Sequence, residues 1–131
     1  MVVLMRRVFV WALFIMSGML AVSQIQAEQT NHRVVTILAE RFSFTPSEIH
    51  VAVGTSLELR IHSNDTMHGF RIIGNNVNVL VPKRRQGEAI VRFEAVDVGR
   101  YEFECSRLCG AGHNFMRGAI IVHADHQEAE R

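Results

Sequence analysis

Cys105-Ser106-Arg107-Leu108-Cys109-Gly110-Ala111-Gly112-His113-Asn114-Phe115-Met116 places two thiols, an imidazole and a thioether within twelve consecutive residues. Thiolate and thioether are soft donors, and with imidazole they select copper over hard cations such as magnesium or calcium. A mononuclear blue-copper site takes one Cys, two His and a weak axial Met. The segment holds that set with one Cys to spare, provided a second His arrives from elsewhere, and two thiolates could also bridge two metal ions. Gly110 and Gly112 let the backbone fold tightly around the donors. Apolar runs at 101–105 and 118–122 flank the segment. It therefore reads as a loop at one end of a β-structure, held at both ends by strands.

Outward from the loop the pattern repeats. Short apolar runs at 34–39, 49–53, 57–61, 70–73, 77–81 and 90–96 are separated by Thr45-Pro46-Ser47, Gly54-Thr55, Ser63-Asn64-Asp65 and Gly74-Asn75-Asn76. Leu57, Leu59 and Ile61 alternate with Glu58, Arg60 and His62, the period of a strand with one wet face. Short strands at regular spacing predict an all-β, antiparallel sandwich over residues 34–123. The 131 residues suffice for one such domain.

The ends read differently. Arg6 and Arg7 precede an apolar run at 8–22, and the stretch closes on Ala27, the layout of a secretory signal peptide. The other reading of residues 8–25 is an uncleaved membrane anchor. Either way the remaining chain is exported, to the periplasm or the outer face of the cytoplasmic membrane. Residues 28–33 read as a linker and 124–131 as a polar tail.

Without residues 1–27, 12 basic side chains face 13 acidic ones, a net charge of −1. That excludes a nucleic-acid footprint and predicts no strong field for steering a partner. No acid–base pair, nucleophile or phosphate loop is present, so the chain alone catalyses nothing.

The second imidazole is expected from His68, which follows the turn at 63–67 and precedes Gly69. Asp65 is either a turn-former or the group that orients the His68 ring. His50 and His62 read as exposed, and His123 with His126 as a solvated tail. Lys83-Arg84-Arg85 reads as a solvated turn, with a docking patch as its second reading. Phe42 and Phe44 divide between core and partner surface. Zinc could fill a Cys–Cys–His site, but Met116 at matched spacing favours copper. A thiol–disulfide role lacks the Cys-x-x-Cys spacing.

The loop resembles the CuA motif of cytochrome c oxidase subunit II: Cys, three residues, Cys-Gly, two residues, His, two residues, Met. Phe42-Ser43-Phe44-Thr45-Pro46-Ser47-Glu48-Ile49-His50-Val51, Val53-Gly54-Thr55, Met67-His68-Gly69-Phe70 and Asn76-Val77-Asn78-Val79 extend the resemblance, closest to B-type haem–copper oxidases, over residues 35–123. It implies a cupredoxin-like Greek-key β-sandwich with a binuclear copper centre. Cys105 and Cys109 would bridge the ions, His68 and His113 would bind one each, Met116 would be axial, and Arg107 would lend its carbonyl. The implied role is to accept electrons from cytochrome c, or another small donor, and pass them to a haem-bearing oxidase subunit. Two departures stand out. Arg107 replaces the family's usual Glu or Gln, and a single N-terminal segment replaces its membrane helices. The second keeps open a soluble periplasmic cupredoxin, a copper carrier or independent electron shuttle.

Overall fold

The computed structural model describes residues 31–125 and Ala129. The expected export segment at 1–27 and His126 lie outside the described residues, among which no helix is long and apolar enough to cross a membrane.

Nine strands form two sheets. One carries β1 (Asn31–Glu40), β2 (Ser43–Thr45), β4 (Thr55–Ser63) and β7 (Ala89–Glu94) in the order β2-β1-β4-β7. The other carries β3 (Glu48–Ala52), β5 (His68–Ile72), β6 (Asn78–Val81), β8 (Gly99–Glu104) and β9 (Arg117–His123) in the order β3-β9-β8-β5-β6. The alternation read in the sequence holds: Leu57, Leu59 and Ile61 are buried in β4, as are Ala89, Val91 and Phe93 in β7. Each period-2 strand thus turns one face into the space between the sheets.

Two differences from expectation concern pairing. β1 runs parallel to β4, and β3 runs parallel to β9, so the sandwich is mixed. Alternation reports which face a strand buries, and it carries no information on the direction of the neighbour. β1 also begins at Asn31, inside the expected linker, because its first residues pair by backbone with Thr55 and Ser56 and need no apolar side chain. The short β2 inside 42–46 was not expected as a strand. It pairs over Ser43–Thr45 and buries only Phe44.

Phe44, Phe70 and Phe103 meet at the centre with ring centroids 5.0–5.6 Å apart. Phe103 lies two residues before Cys105, so this cluster is the floor on which the ligand loop stands. Gly118 faces it from β9, where a Cβ would collide with the Phe103 ring.

Phe103→Ala is expected to destabilise the fold by about 3–5 kcal/mol, the range for a buried Phe left as a cavity. Urea unfolding of the metal-free chain measures this; a loss below about 1 kcal/mol would show that the cluster is not the floor of the core.

Candidate metal centre

Cys105 leaves β8 at the top of the sandwich. Its N–H donates to the Met116 carbonyl (3.0 Å), which closes the ligand loop at its base. Within the loop, N–H groups of His113, Phe115 and Met116 donate to the carbonyls of Gly110, Gly112 and His113, forming a 3₁₀ turn at His113–Phe115. Gly110 has φ 143°, a conformation that side-chain-bearing residues rarely adopt. Ser106 Oγ donates to Asn78 Oδ1 (2.7 Å) and ties the loop to β6. Gly69 supports it from β5, where a Cβ would lie 2.9 Å from the Arg107 nitrogen.

The six residues expected at the site come together. Cys105 Sγ lies 3.8 Å from Cys109 Sγ. On one side Cys105 Sγ is 4.0 Å from His68 Nδ1 and donates to the Arg107 carbonyl at 3.1 Å. On the other, Cys109 Sγ is 3.9 Å from both His113 Nδ1 and Met116 Sδ. His68 and Met116 are fully buried and both thiols nearly so. Two metal–sulfur bonds of about 2.3 Å readily span the gap between the thiols, so both sulfurs can reach a shared ion. The donors are thiolate, thioether and imidazole, a set that fits copper. Burial first, and the adjoining Cys105 thiol second, pushes the Cys109 thiol up to about 11. A cation in the cluster would take the place of the thiol protons.

Asp65 settles between its two readings by serving both. Ser63 Oγ bonds it within the turn, and its Oδ1 stands 2.7 Å from His68 Nε2. The contact holds the ring by Nε2 and turns Nδ1 toward the thiols. Burial opposes ionisation of Asp65, but hydrogen bonds from His68 and the N–H groups of Arg41 and Thr66 outweigh it and hold the carboxyl below its ordinary range.

Two contributors were not read from the sequence. Arg41 donates from Nε to the Cys109 carbonyl (2.9 Å) and from its N–H to Asp65 Oδ2 (2.9 Å). Phe42 packs against Gly110 and Gly112, so closely that a Cβ at Gly112 would overlap its ring. Neither residue type signals such a role, because the contacts arise only when the turn after β1 lies over a loop 68 residues away. Above the buried donors, Leu108 and Phe115 are 82% and 84% exposed.

His50 and His123 depart from the exposed reading. Both are half-buried, and His50 Nδ1 lies 2.8 Å from His123 Nε2 across β3 and β9, at the far end from the thiols.

The model of the cupredoxin-like domain family matches residues 10–122. Cytochrome c oxidase subunit 2 of Thermus thermophilus is 38% identical over 93 residues, covering 70% of this chain and 67% of that protein. A second cytochrome c oxidase subunit 2 from Thermus thermophilus is also 38% identical over 93 residues, but there the match spans only 54% of its length. Among solved structures, a heme-copper terminal oxidase dimer superposes with TM-score 0.66 at 23% identity, over 93% of this chain and 95% of the matched one. The periplasmic domain of cytochrome oxidase subunit II of Bradyrhizobium japonicum gives 0.65 at 20% identity, over 74% and 88%. At these identities the two structures speak for the fold.

Asp65→Ala is expected to weaken copper binding about 10–100-fold, the usual effect of removing the partner that orients a ligand imidazole. Competition with a copper chelator measures it, and unchanged affinity would rule out a positioning role. Gly112→Ala should disturb the loop by displacing Phe42, and Phe42→Ala on that background should restore metal binding. Failure of the rescue would show that Phe42 is not what Gly112 accommodates.

Proposed function

This chain belongs to the cupredoxin-like domain family and is homologous to cytochrome c oxidase subunit II, and we propose that it holds a two-copper centre which takes single electrons from a cytochrome c and passes them to a haem-bearing oxidase subunit. The observation that carries this reading is the division of donors. Two thiols stand 3.8 Å apart, and each has an imidazole of its own, His68 beside Cys105 and His113 beside Cys109. A one-metal site would gather both imidazoles around one thiol, so this division supports the reading that two ions would share the two sulfurs. The proposed ligands are His68, Cys105, the Arg107 carbonyl, Cys109, His113 and Met116.

Copper bound there supplies one-electron chemistry between its cuprous and cupric states. The chain's part is to hold the donors still. The Cys105–Met116 backbone bond fixes the loop ends, Asp65 fixes the His68 ring, and Phe42 wedges the Gly-rich turn. Little then has to move when the charge changes. Burial excludes water from the thiols, while half-buried His113, with Phe115 and Leu108 above it, is the side open to a partner. Export through residues 1–27 would deliver the domain to the periplasm or the outer membrane face, whether cleaved or anchored.

The purified chain loaded with copper should contain two ions, with the unpaired electron of the oxidised form shared equally between them in EPR. One ion with an intense single-thiolate blue band would overturn the binuclear reading. In stopped flow, reduced cytochrome c should reduce the centre while copper stays bound against a chelator. No reduction by any cytochrome, with ready loss of copper, would make the chain a carrier. Arg107→Ala should keep both ions, since only the carbonyl is needed, and should lower the reduction potential, because a positive charge favours the reduced site. A raised potential or lost copper would contradict the carbonyl assignment.

A further inference from the structure

The near-zero sum of charges conceals where the charges sit. On the strand faces several cations are matched, though Arg33 bonds only the His50 carbonyl. Arg60 and Arg92 share Glu58, and Arg100 lies between Glu48 and Glu102. At the metal end Arg71 and Arg117 are matched by Glu104, but four other cations are not. Val81 pairs with His68, so the turn that follows projects beyond the level of the ligands. The Arg84 N–H donates to the Asp65 carbonyl (3.2 Å), which pins that turn beside the loop leading to His68. Lys83, Arg84 and Arg85 are exposed there, Arg107 is exposed on the ligand loop itself, and none of the four forms an ion pair among the described residues. The acids at this end are largely committed: Asp65 to His68 and the Arg41 N–H, Glu104 to Arg71 and Arg117. The exposed apolar side chains Leu108 and Phe115 lie on the ligand loop at the same end.

Resting on the electron-transfer reading, we infer that the metal end is a docking face for a small redox protein whose own docking face is acidic, with carboxylates ringing an apolar contact. An apolar centre with a charged rim is the ordinary anatomy of a transient interface. Four uncompensated cations around it select the sign of the partner. A cytochrome with a basic docking face would bring like charge against Lys83, Arg84, Arg85 and Arg107. The expectation of no strong steering field rested on the sum of charges alone. A partner responds to the local potential within a Debye length, about 10 Å at 0.1 M salt and about 30 Å at 0.01 M, and the net charge of the whole chain says little about that.

The test uses the full copper-loaded chain with two reduced cytochromes c, one with an acidic docking face and one with a basic one. Association is followed by surface plasmon resonance and reduction by stopped flow, from 0.01 to 0.5 M salt. Association with the acidic cytochrome should be faster and should slow at least about tenfold over that range. Lys83→Glu with Arg84→Glu should remove most of that salt dependence, with the copper spectrum unchanged. Arg92→Glu, at an exposed mid-strand position of β7 in the other sheet, should leave it intact. Faster association of the basic cytochrome, or rates independent of salt for both, would overturn the inference while leaving electron transfer standing. Salt-sensitive binding of the acidic cytochrome without electron passage would uphold the surface and sink the electron-transfer reading. Binding to anionic lipid vesicles that vanishes in the Lys83→Glu, Arg84→Glu variant, with no preference between cytochromes, would assign the rim to a membrane surface and overturn it.

Discussion

Two thiols held 3.8 Å apart and out of water are the constraint around which this structure is organised. Buried thiols resist ionisation, and two side by side resist it more, as the upward shift of Cys109 shows. A soft cation relieves both costs at once, because it compensates the charge that burial penalises. The polypeptide is left with a mechanical task, to bring neutral imidazoles and a thioether to the same place and keep them there.

That task is divided among elements far apart in the chain. β8 and β9 grip the two ends of the ligand loop, and the bond between Cys105 and Met116 makes it a closed loop. β5 supplies His68 from the adjacent strand position, with Asp65 behind it. The turn between β1 and β2 reaches over from the other sheet, with Arg41 on the Cys109 carbonyl and Phe42 in the space that two glycines leave. The sandwich therefore contributes its stiffness to the site from both sheets. The three-phenylalanine cluster beneath transmits it, since close-packed rings resist displacement.

Charge is distributed on the same plan. Ion pairs join many of the charges on the strand faces, and four cations without such a pair among the described residues lie at the metal end, where Leu108 and Phe115 are exposed. Burial of the donor cluster and exposure of these side chains keep the two sets of residues apart in space.

The order of donors along residues 105–116 pointed to soft-metal chemistry, because donor type and spacing within one short loop are local properties. His68 was legible through its neighbours, and the alternation of Leu57, Leu59 and Ile61 marked the buried face of β4. Direction and partnership were not legible. Nothing in residues 31–40 or 48–52 announces that β1 and β3 have parallel neighbours, since alternation is the same in either case. The role of Arg41, the wedge of Phe42 and the pairing of His50 with His123 all join residues whose types suit many other places, and the sequence offered the contact of Asp65 with His68 only as one of two readings. Net charge could be summed from the sequence, but its segregation could not, because it depends on where the turn after Val81 is pinned. Local chemistry is written in the order of residues, whereas proximity between distant residues is decided only when the two sheets close on one another.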